Sequence, residues 1–232
     1  MKISIGTNIF GNDLKQNLGI QTQVKLKNLY PDNVFLYAFQ RYEEETVPYS
    51  HTKKLVNRDS RDFVEAGKKT SLCVKDIFDG LAETDCDYIV YTNSDILFSE
   101  NFIKYLLNGN YIGYACSRMD IHPIQSLNDK IIPYRYEVAG QDVFVIKKDW
   151  YIKNRHLFKE YLIGSIWYDT ALTCILKQYG QNDPIINQEI TEPWGWYYHN
   201  ILIKRPSGFD MFELYPNEKQ IEKEHFGKYM MS

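Results

Sequence analysis

An apolar run, Tyr88–Thr92, breaks into Asn93-Ser94-Asp95 and re-enters apolar sequence at Ile96. A carboxylate in that place can cap a turn, or it can hold a divalent cation through its oxygens. Two further acids have comparable settings. Asp142 follows Gly140, whose missing side chain lets a backbone approach a ligand closely. Asp142 can therefore act as a base, bind a hydroxyl-bearing ligand, or simply serve a turn. Asp169 stands in the first turn of a strongly amphipathic segment. There it suits the helix dipole, and it can equally take a proton. His199 lies among Trp194, Trp196, Tyr197 and Tyr198. Its imidazole can ligate Mn²⁺ or pack within an aromatic cluster. Thr7 and Asn8 close the first apolar stretch, and Arg118 with Asp120 close another. Arg58, Arg61, Lys68 and Lys69 crowd one polar segment. Arg58 and Lys69 are candidates for neutralising phosphate charge, against the common alternative of a solvated face.

These groups need elements to carry them. Lys2–Phe10 reads as a first strand, Leu14–Lys27 as a helix of weak periodicity, and Asn33–Gln40 as a second strand. Residues 41–69 are polar and aperiodic and read as loops. Ser71 is a candidate N-cap for a helix whose face carries Cys73, Val74, Ile77, Phe78, Leu81 and Ala82. Tyr88–Thr92 is a continuous apolar run, which suits a central strand covered on both faces. A short helix capped by Ser99, a strand over 111–117 and a strand over Asp142–Lys147 follow. Ser165 opens a helix with Tyr168, Ala171, Leu172, Ile175, Leu176 and Tyr179 on one face. Alternating strands and helices point to an α/β fold with a largely parallel sheet. In such sheets ligands bind at the C-terminal strand ends, near the point where strand order reverses.

The 232 residues suffice for one large domain or two small ones. With 44% hydrophobic and 25% charged residues the chain is globular rather than disordered. A net charge of −3 supplies no electrostatic reason to bind nucleic acid. Cys73, Cys86, Cys116 and Cys174 are widely spaced, so reduced buried thiols are expected rather than a zinc or redox motif. No G-x-x-x-x-G-K loop and no G-x-G-x-x-G after the first strand is present, which argues against a P-loop enzyme and a dinucleotide oxidoreductase. The opening MKISIGTNIF is too short and polar for a signal peptide, and no stretch reaches the length of a membrane span. A soluble cytoplasmic protein is expected, with peripheral membrane contact left open.

YIVYTNSDILFSENFI resembles the metal-binding strand end of nucleotide-sugar glycosyltransferases of the GT-A fold, which carry an Asp-x-Asp motif there. Further segments follow in that superfamily's order. VAGQDVFVIKK resembles its acceptor-side loop and the strand beside it, IGSIWYDTALTCIL a segment with an acid at a helix start, and WYYHN a late segment whose His can complete a metal shell. The likeness spans about residues 2–204, with Asn93 in place of the first acid. It implies a Rossmann-like, mostly parallel sheet flanked by helices, with a small antiparallel acceptor-side portion. The domain would span residues 1–205, and 206–232 would form a tail with a short helix. It implies a nucleoside diphosphate sugar donor, a glycan or polysaccharide acceptor, and Mn²⁺ or Mg²⁺ as cofactor. Thr7, Asn8, Arg58, Lys69, Asn93, Ser94 and Asp95 would bind the donor, and Asp95 with His199 the metal. Arg118, Gly140, Trp194 and Trp196 would meet the acceptor, with Asp169 or Asp142 as catalytic base. A divalent ion needs few protein ligands here, because phosphate oxygens and water complete its shell. The other readings are a sugar-nucleotide nucleotidyltransferase and a catalytically silent glycan- or nucleotide-binding domain.

Overall fold

The computed structural model describes residues 1–9, 14–41, 51–62, 71–108, 112–122, 124–164, 168–179 and 197–200. The first part follows the expected alternation: β1 (Ile3–Asn8), α1 (Leu14–Leu29), β2 (Val34–Arg41), β3 (Thr52–Val56), α2 (Val74–Ala82) and β4 (Tyr88–Thr92). Then come β5 (Ile96–Phe98), α3 (Glu100–Asn108), β6 (Gly113–Ile121), β7 (Pro133–Lys147), α4 (Lys148–Asn154), α5 (Tyr168–Tyr179) and β8 (Tyr197–Asn200). All eight strands join one sheet in the order β3-β2-β1-β4-β7-β6-β8-β5.

β3, β2, β1 and β4 run parallel. β7 pairs antiparallel with both β4 and β6, β8 runs parallel to β6, and β5 antiparallel to β8. The fold is therefore α/β with a mixed, mostly parallel sheet: β6 and β8 point the same way as β1–β4, and β7 and β5 alone run against them, as expected of a small antiparallel portion.

Period-two alternation assigns the two faces. Ile89 and Tyr91 of β4, with Phe144 and Ile146 of β7, pack beneath α2, α4 and α5. Tyr88 and Val90, with Val143 and Val145, pack with Phe102, Ile103 and Leu106 of α3 on the other side. Each residue of β4 is buried, as a strand covered on both faces requires.

Several local expectations change. The polar stretch after β2 contains β3 and a 3-10 turn, Ser60–Asp62. β3 is an edge strand, TKKLV, half-exposed and lysine-bearing, so it lacks the apolar alternation that marks inner strands. Ser71 does not cap α2, whose N-cap is Cys73 without a side-chain bond. Its amide N–H instead donates to Ser60 Oγ at 3.1 Å, and its carbonyl accepts from the Ser60 N–H at 2.8 Å. β7 begins at Pro133, well before Asp142. Cys73, Cys86 and Cys116 are buried thiols in no disulfide, as expected. The tail and its expected helix, and the domain boundary near 205, lie outside the described residues.

Candidate functional site

β1 and β4 lie side by side, with Thr7 opposite Thr92. Their C-terminal ends form the point where strand order reverses, since β2 follows on one side of β1 and β4 stands on the other. Beyond Thr92 the chain turns through Asn93-Ser94-Asp95 into β5. That turn is held from two sides. The Asn93 amide N–H donates to the Asp142 carbonyl at 3.1 Å. On the other side Gly19 of α1 lies against its backbone: a Cβ built there would fall well inside contact distance of the Ser94 carbonyl and 3.0 Å from that of Ile96. Thr22, one turn further on, accepts from the Phe98 N–H at 3.0 Å while donating to the Gly19 carbonyl at 2.7 Å. Helix α1 thus seats the turn and the strand after it.

The Asn93 side chain is turned into the protein. Its Nδ2 donates to Asp142 Oδ1 at 2.6 Å. Its Oδ1 accepts from the Tyr91 hydroxyl at 2.9 Å and from the Tyr168 hydroxyl at 3.4 Å. The nearer contact is a full hydrogen bond and the farther, past the usual O–H···O length, a weak one. Asp142 reaches this cluster through a bulge in β7. Cys116 pairs with Val143 and Ser117 with Gln141, leaving Asp142 as the extra residue. Bulges re-aim a side chain in just this way. Asp142 is buried. Asp169 arrives from α5, one residue after Tyr168. Its carbonyl accepts from Thr173 Oγ1 at 2.8 Å, and the same hydroxyl lies 3.3 Å from Gln141 Oε1, which ties the first turn of α5 to β7.

The two phenols report the electrostatics. Burial, first of all, holds the Tyr91 hydroxyl well above its ordinary range, and the charges of Asp142, Asp95 and Asp169 push in the same direction. Tyr168 is raised by burial, then by Tyr91, Asp142 and Asp169. Carboxylates from the β4–β5 turn, β7 and α5 therefore act on the Tyr91 hydroxyl, and those of β7 and α5 on Tyr168 too. The three acids that the sequence singled out separately share one neighbourhood.

Beside them, β1 ends on unmet polarity. Thr7 Oγ1 and Asn8 Oδ1 are buried and have no hydrogen-bond partner among the described residues. A buried hydroxyl or amide oxygen without a partner costs free energy, and such atoms merit an explanation.

The remaining candidates distribute differently. Ser94 is buried, with its carbonyl against Gly19. Arg58 lies at the β3–α2 edge, where its Nε donates to Asp76 Oδ2 at 3.0 Å and its Nη1 to Glu160 Oε1 at 2.6 Å; its charge is already balanced. Arg118 and Gly140 are described as backbone: Arg118 pairs with Glu137, and Gly140 falls in the stretch where the β6–β7 register jumps. His199, also described as backbone, pairs with Ile96 across β8 and β5, so register brings it beside the residue that follows Asp95. Lys69, Trp194 and Trp196 lie outside the described residues. Among those described, no group of three His, Cys, Asp or Glu side chains is close enough to hold a metal. Gly19, Tyr91 and Tyr168 are the site residues that sequence reasoning missed. A glycine inside a helix was the one available signal; both tyrosines sat on apolar faces and read as core.

No protein-family model matches the chain, and no curated protein matches it in sequence. Solved structures match in fold. A variant of Drosophila beta-1,4-galactosyltransferase 7, solved with manganese, UDP-Gal and xylobiose, aligns with a TM-score of 0.52 at 10% identity, covering 95% of this chain and 78% of that one. GlyE of Streptococcus pneumoniae aligns at 0.43 and 12% identity, covering 98% and 64%. A glycosyltransferase involved in glycosylation of the major capsid of PBCV-1 aligns at 0.39 and 12%, covering 80% and 78%. The chain has the fold of the GT-A glycosyltransferases. No helix among the described residues is long and apolar enough to cross a membrane.

Proposed function

We propose that the protein is a glycosyltransferase that moves a sugar from a nucleoside diphosphate donor to a hydroxyl of a glycan or polysaccharide, with a divalent cation, in the cytoplasm. The observation that carries this reading is the convergence of Asp95, Asp142 and Asp169 on Tyr91, the latter two on Tyr168 as well. It lies at the strand ends where Thr7 and Asn8 keep unmet polar atoms.

Each residue then has a task. Thr7 and Asn8 take up the nucleoside, whose polar groups supply the missing hydrogen bonds. Asp95 holds the cation, with His199 as the second candidate ligand; few protein ligands suit an ion whose other positions are filled by phosphate oxygens and water. When bound, such an ion stabilises the negative charge that gathers on the departing diphosphate. Asp169 takes the proton of the acceptor hydroxyl as its oxygen bonds to the anomeric carbon. Asp142 holds the acceptor, with Arg118, Gly140, Trp194 and Trp196 as the surrounding acceptor surface.

The test is turnover of UDP-, GDP-, CDP- and dTDP-sugars with Mn²⁺, followed by release of the nucleoside diphosphate, beside calorimetry with the diphosphates alone. At least one nucleotide is expected to bind in a Mn²⁺-dependent way. In Asp95→Asn that dependence should vanish while the fold persists. A wild type that binds none of the four with Mn²⁺ present overturns the reading.

A further inference from the structure

In the resemblance that the sequence carries, Asn93 stands where an acid is usual, and the simple view makes it a weakened ligand for cation or ribose. The geometry points elsewhere. Its oxygen accepts from the Tyr91 hydroxyl at 2.9 Å and faces the Tyr168 hydroxyl at 3.4 Å, so it is turned toward donors of the protein itself. Its nitrogen donates to Asp142 Oδ1 at 2.6 Å, a short, charge-assisted bond. The orientation is dictated by chemistry: an ionised carboxylate accepts only, and the amide face that meets it must be the NH₂. The main chain repeats the link, since the Asn93 N–H donates to the Asp142 carbonyl.

We propose that Asn93 is a positioning residue, an amide required because it clamps the bulged Asp142 carboxylate between the end of β4 and helix α5, and not a ligand of cation or nucleotide. Tyr91 and Tyr168 belong to the clamp, because their hydroxyls hold the amide oxygen and so fix which way the nitrogen points. The clamp accounts for an amide rather than an acid at position 93. The substitution Asn93→Asp would set a second carboxylate against the buried Asp142, in a half-buried place near Asp95 and Asp169. Like charges so close cannot both stay ionised without a large cost. The inference rests on the transferase reading only for what Asp142 does; the pairing itself is independent of it.

The experiment is a swap. Asn93→Asp, Asp142→Asn and the double variant N93D/D142N are melted at pH 7.5, with and without Mn²⁺, and their transfer rates are measured with the best donor found. N93D is expected to melt roughly 5 °C or more below wild type, the scale of a lost half-buried clamp in a domain of this size. D142N keeps an amide–amide bond and should melt near wild type. The double variant rebuilds an amide–carboxylate pair with the partners exchanged, so it should recover most of the loss seen in N93D. Its transfer should stay as low as that of D142N, because the carboxylate then sits on the wrong side of the pair. The proposal is overturned if N93D melts like wild type, or if Mn²⁺ stabilises N93D more than wild type, which would turn residue 93 toward the ion. It is equally overturned if the double variant melts no higher than N93D, or if exchanging the partners restores transfer. Should wild type transfer no sugar at all, the transferase reading falls, and the melts still decide the clamp.

Discussion

Gly19→Ala separates two opposing effects at a single methyl group. Gly19 lies inside α1, where alanine is favoured over glycine by roughly 1 kcal/mol on propensity alone. On an unencumbered helix the substitution would therefore stabilise. Here the new methyl points at the backbone of the turn that carries Asn93 and Asp95, inside contact distance of the Ser94 carbonyl and at 3.0–3.1 Å from Ile96 O and N. Backbone cannot swing away as a side-chain tip can, so helix and turn must part by about 1 Å to reach ordinary contact. Overpacking of that kind costs about 1–3 kcal/mol. The net loss is about 0–2 kcal/mol, and the melting temperature should fall by about 0–8 °C. The catalytic effect should be larger: a displacement of about 1 Å in the groups that hold the reactants costs roughly 10²-fold in rate. Thermal melts paired with donor turnover measure both. If Gly19→Ala melts above wild type and turns over at the wild-type rate, propensity has won, and α1 does not seat the turn.

Thr7→Val removes a buried hydroxyl that has no partner among the described residues while keeping its shape. Without nucleotide it should melt higher, by roughly 2–4 °C for a gain of about 1 kcal/mol, and in calorimetry it should bind nucleoside diphosphate more weakly. Asp169→Asn should lower transfer by roughly 10²–10⁴-fold, the usual worth of a general base, with donor affinity unchanged in the same titration. His51 gives a pH dependence: burial first, and then the charge of Lys27, pushes its imidazole down to about 4 from 6.5. The neutral ring therefore contributes stability that is fully present above pH 6.5 and is lost as pH falls towards about 4. Its size is about 1–3 kcal/mol, and melts of His51→Gln across that window should show a flatter profile than wild type.

Much of this was legible locally. The apolar run of β4, the amphipathic faces of α2 and α5, and the placing of Asp95 and Asp169 at or near element ends all follow from periodicity and from the residue types that end strands and open helices. These are properties of a few consecutive residues, and side-chain alternation fixes which face each presents. What depended on distant chain was hidden. The antiparallel pairing inside the sheet arises because β7 enters between β4 and β6 running against both, a choice of direction that no short window encodes. The bulge that frees Asp142 exists only in the register between β6 and β7. Tyr91 and Tyr168 are core residues by their rings, as their spacing indicated. Their hydroxyls became part of a polar site only because β4 ends under the first turn of α5. The sequence determined the element ends and which of them carry acids; tertiary packing alone decided that these ends meet, since long-range pairing, not local pattern, sets which faces are brought together.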